Sequence, residues 1–96
     1  MTNIFDELVE KQRAAEQAHH RVEKLRGMYG PPTQEGGWSQ RQTTTYNTAL
    51  RAWRDLARDV RTAVADYAKA QGEQRSDVET QVRRAVRQKE TGDVDA

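Results

Sequence analysis

Apolar residues recur along this chain at alternating spacings of four and three. Ile4, Leu8, Lys11, Ala15, Ala18, Val22, Leu25 and Tyr29 form the first row, with Lys11 its one charged interruption. This spacing puts the row on one face of an α-helix and gives a heptad seam. Phe5 and Val9 widen the stripe near its start. Ala14, Ala15 and Ala18 keep its middle narrow, so another helix can approach closely there. Thr2 or Asn3 can cap the N-terminus, and Asp6 and Glu7 complement the helix dipole. The predicted helix covers 3–27, because Gly27 and Gly30 weaken its end and Pro31-Pro32 stops it.

A second row, Tyr46, Leu50, Trp53, Ala57, Val60, Val64 and Tyr67, repeats the same spacing. Ser39 and Gln42 have the S-x-x-Q form of a capping box, which predicts a helix over 40–71. Between the rows, 28–39 reads as a loop in which Gly36-Gly37 supplies the reversal. The matched seams pair antiparallel, with Trp53 buried near Val22 and Val60 near Ala15. Trp53→Ala would then cost about 3–5 kcal/mol. Ala49, Leu56, Ala63 and Ala70 add an apolar edge beside the second seam, which one partner helix cannot cover. Either a second copy of the chain or a third helix must meet it.

Past Ala70 the pattern fails. Gln71 and Gln74 fall at seam positions, and Gly72 weakens a helix interior. Ser76-Asp77-Val78-Glu79 forms another capping-box pattern, ahead of Val82, Ala85 and Val86. A bend followed by a helix over 77–89 is the expectation, with one continuous helix as the alternative. The acidic end, 91–96, is expected to be disordered. The fold class is therefore all-α: one helical domain over 1–90, an antiparallel coiled-coil-like hairpin with a shorter third helix or helical extension, assembling into a bundle.

Composition sharpens this. Hydrophobic residues make up 34% of the 96 residues and mean hydropathy is −1.09, so the core is thin. Such a chain must idealise its packing or find a partner, which points to a homo-oligomer, a dimer first. Cysteine is absent, which removes disulfides and thiolate metal sites and fits a reducing compartment. No apolar run reaches membrane-spanning length and the start lacks the regions of a signal peptide, so a cytoplasmic protein without a membrane partner is expected. Arg greatly outnumbers Lys, a usage that suggests a GC-rich genome, an actinobacterium or its phages and plasmids.

Motifs for catalysis or cofactors are missing: no phosphate loop, no nucleophile elbow, no H-E-x-x-H pair. A non-enzyme without a cofactor is the expectation. His19 and His20 are adjacent, about 100° apart on a helix, and cannot chelate one metal from one face. Arg51, Arg54, Arg58 and Arg61, spaced three, four and three, share one side of the second helix. They can grip phosphates or an acidic protein, or merely line a solvated edge beside Asp55, Asp59 and Asp66. Arg83, Arg84, Arg87 and Lys89 form a second cluster, explained in part by a helix C-terminus that favours cations. Trp38, at the loop's end, either packs back on the hairpin or anchors a partner. Trp38, Leu56 and the four arginines of the second helix are the candidate partner-binding residues.

Length, two long helices and a Trp at the turn give the chain an architectural resemblance to the Trp-x-Gly helical hairpins exported by type VII secretion systems. That resemblance implies a secreted hairpin. The pattern departs from the family where Ser39 and Gln40 follow Trp38, and where Gln71 stands four residues after Tyr67 in place of an acidic residue. The leading functional expectation is a protein-interaction and self-association module, a phage- or plasmid-type accessory or structural protein. A small nucleic-acid-binding regulator using the Arg row is the alternative.

Overall fold

A computed structural model describes residues 4–33 and 36–95 of the chain, with side chains through Thr91. It contains three helices: α1 (Ile4–Tyr29), α2 (Gln40–Gln71) and α3 (Arg75–Asp95). The expected cap at Thr2 or Asn3 lies outside the described residues, as do Gln34 and Glu35 of the loop and Ala96 of the tail. No helix of the described residues is long and apolar enough to cross a membrane.

The start of α2 is set by its capping box. Ser39 Oγ accepts from the Gln42 backbone N–H at 3.0 Å, and Gln42 Oε1 accepts from the Ser39 N–H at 2.9 Å. Its end is set by Gly72, whose left-handed φ of 68° lets the Gly72 and Glu73 N–H groups donate back to the Lys69 and Ala68 carbonyls. The chain re-enters a helix after three residues, Gly72, Glu73 and Gln74. α3 starts at Arg75, ahead of the expected Asp77, because the Gln74 carbonyl already accepts from the Asp77 and Val78 N–H groups. Ser76 consequently lies inside the helix and is not its cap: its carbonyl accepts from Thr80 Oγ1. Glu79 turns to Arg75 at 3.6 Å. At the other end, α3 extends as helix through 91–95, the segment expected to be disordered. Once a turn is packed, each further residue adds a helix hydrogen bond with no new nucleation cost.

Core packing is concentrated at one end. Leu8 and Ala15 of α1, Val60, Val64 and Ala68 of α2, and Val78 and Val82 of α3 form one buried cluster. Phe5, Leu56, Ala63 and Tyr67 pack on its edge, and the Phe5 and Tyr67 rings lie 6.0 Å apart. The first turns of α3 lie in this cluster. Its later turns cross onto α1, where Ala85 and Lys89 line a depression with Phe5, Val9 and Glu10. Every valine of α3 from Val78 to Val86 is essentially inaccessible. We call this three-helix region the base.

Beyond the base, α1 and α2 run on alone as a two-helix arm. Val22 and Leu25 are buried there, but no α2 residue before Val60 is. The radius of gyration is 16.8 Å and the longest extent 52 Å. A compact chain of this length would have a radius of about 13 Å.

Candidate functional site

Each helix brings part of an open trough where the arm meets the base. Gln12, Ala15, Glu16, His19 and His20 line it from α1. Trp53, Ala57, Val60, Arg61 and Val64 line it from α2, and Glu79 and Arg83 from α3. Its volume is about 580 Å³. The floor is apolar, and the walls are charged.

Trp53 sits at the arm side of this trough. Its ring lies 4.4 Å from that of His19, tilted by 30°. His19 Nδ1 is 3.1 Å from Glu23 one turn along α1. Full burial was expected for Trp53, but it is half-buried, because α3 crosses the hairpin too near the base to cover it. Lys11, the charged break in the first seam, reaches Asp59 of α2 at 3.9 Å, so a long side chain bridges where an apolar one would pack.

The carboxylates of the trough are engaged locally. Glu16 accepts from Gln12 Nε2 at 2.7 Å, and Glu79 pairs with Arg75. The guanidinium groups are less engaged. Arg58 meets Asp55 at 3.1 Å, whereas Arg51, Arg54, Arg61 and Arg83 have no ion pair within 4.0 Å among the described residues. Arg51, Arg54, Arg58 and Arg61 are all exposed, and Arg61 carries their row into the trough.

The other candidates are placed differently. Trp38 packs back on the hairpin end: its Nε1–H donates to the Gly30 carbonyl at 2.9 Å, and its ring meets Tyr29 and Tyr46 edge-on at 5.7 and 4.9 Å. Leu56 is half-buried against the base core and does not face freely outward.

The chain matches no protein-family model, no curated protein and no solved structure. The arginine row was visible in the sequence by spacing. His19, Trp53 and Arg83 as neighbours were not, since only the crossing of α3 brings Arg83 to the arm.

Proposed function

We propose that the protein is a non-enzymatic helical docking module, with an anchored base and an arm whose open face another helix completes. The observation that supports this best is the unequal packing of α2: Val60, Val64 and Ala68 are buried in the three-helix cluster, while no α2 residue before Val60 is buried. A two-helix arm leaves apolar side chains such as Leu50, Trp53 and Ala57 half-covered, and a third helix would remove that surface from water. An accessory or structural role in a phage or plasmid suits the size and residue usage.

Self-association is a second reading. It is favoured by a shallow groove on the arm, lined by Ala18 and Arg21 of α1 and by Thr44, Thr45, Thr48, Ala49 and Ala52 of α2, whose small side chains permit close helix approach. Under that reading the scattering mass is near twice 11.0 kDa and the melt depends on concentration.

Affinity capture from host lysate with the full chain tests the docking reading, with Ala57→Glu as the comparison. Ala57 is half-buried in the trough, so a carboxylate there obstructs docking while the base core stays intact. A protein retained by the parent and lost from the variant is the expected result. Retention released by nuclease, or equal retention by both chains, overturns it.

A further inference from the structure

Two helices packed side by side leave a valley, and a third helix seated there makes a bundle. α3 takes that position only beside Val60, Val64 and Ala68. Toward the arm the valley continues over Ala57 and Trp53. On α2 its rim is basic: at 100° per residue, Arg54 and Arg58 project within about 60° of Arg61. On α1 its rim is acidic: Glu16 accepts from the neutral Gln12 amide and keeps its charge, and Glu23 lies one turn beyond, beside His19. Charge is thus divided between the two rims, and on the α2 side Arg54 and Arg61, with Arg83 of α3, have no ion pair within 4.0 Å among the described residues.

We propose that this valley seats an amphipathic helix of a partner protein with a row of carboxylates along one flank. The proposal rests on the docking-module reading and adds the chemistry of the partner. The incoming apolar side chains lie over Trp53, Ala57 and Val60, and the carboxylates align with the arginines. Arg54 to Arg61 spans ~10 Å at 1.5 Å per residue. Asp or Glu at every third or fourth position of the incoming helix repeats at the same pitch, so several pairs form at once. Guanidinium groups suit this because each can bind a carboxylate through two N–H donors. A second copy supplies a poorer occupant in α3, whose exposed Arg84 and Arg87 would meet the arginine row of the arm.

The test is selection of a displayed library of helix-forming peptides on the full chain, with duplex DNA as competitor. The selected peptides are then titrated against the parent and against Arg54→Glu/Arg58→Glu, whose altered residues are exposed and leave the core untouched. Enriched peptides should carry an apolar i, i+3, i+4, i+7 stripe flanked by Asp or Glu. Their affinity should fall at least about tenfold on charge reversal, and it should weaken as salt rises. Helical binders without the acidic row, or binders indifferent to the reversal, overturn this inference and leave the docking reading standing. No helical binder at all removes both. Displacement of the peptides by duplex DNA, or by a second copy of the chain, overturns the inference in favour of that ligand.

Discussion

The base and the arm are built from the same two helices, yet one is closed and the other open. At the base, Val64 is 1% exposed and Val78 and Val86 are inaccessible, because the valines of α2 and α3 pack with Leu8 and Ala15 of α1 between three helices. Along the arm the side chains of α2 are larger: Tyr46, Leu50 and Trp53 have no α3 residue packed over them and stay half-buried. Size of side chain is therefore no guide to burial here. A valine between three helices loses more of its surface than a tryptophan between two, and what closes the base is the position of α3.

The largest expected effect separates the two regions outright. Val82→Asp puts a carboxylate at a site 1% exposed, with no described cation beside it in the buried cluster. An ionised group there costs several kcal/mol, comparable with the whole stability of so small a domain. Far-ultraviolet circular dichroism should show loss of cooperative melting near neutral pH. A variant that melts like the parent would mean that α3 does not hold the base together.

A smaller effect is expected in the arm. Trp53→Ala should cost about 1.5–2.5 kcal/mol, roughly half of a fully buried Trp→Ala, because the indole is half in water and rests on one ring. For a chain of this length each kcal/mol moves the melting temperature by about 4–8 °C. Hydrogen exchange should quicken in α2 before Val60 and change little at Val78 to Val86, if the base opens independently of the arm. Equal loss of protection in both regions would show that they unfold as one unit.

How much of this was legible in the sequence follows the same division. The helical class, the capping box at Ser39 and the antiparallel placement of Val60 near Ala15 came from local spacing and turn chemistry, which one helix pair expresses directly. The bend at Gly72 was visible too, since only a left-handed residue closes α2 that way. What spacing could not give was the direction of α3. Periodicity marked Val78, Val82, Ala85 and Val86 as the apolar positions of an amphipathic segment without saying which part of the hairpin would cover them. Hence Trp53 was expected to be more buried than it is, and Leu56 less. The Arg row was legible as a row, but its isolation from carboxylates depends on rotamers: Asp55 pairs with Arg58, while Asp59 turns away to Lys11.

The smallest expected effect concerns the link between α1 and the end of α3. Lys89 Nζ donates to Glu10 Oε1 across the two helices. That hydrogen bond, with the lysine charge behind it and Arg13 adding a little, holds the Glu10 carboxyl below its ordinary range. A carboxylate with a depressed folded-state pKa contributes stability above its unfolded value, near 4.3. That contribution is lost as pH falls through the folded-state value. Both groups are exposed, so solvent screens the pair and the contribution is slight. Lys89→Met keeps the long stem over Val9 and Ala85 and removes only the charge. Carbon-detected titration of Glu10 should then give a pKa restored to the ordinary range, while the melt near neutral pH stays within a degree or so of the parent. If the melt instead falls steeply, the ion pair and not the valine row fixes α3 on α1, and the base is closed by charge rather than by packing.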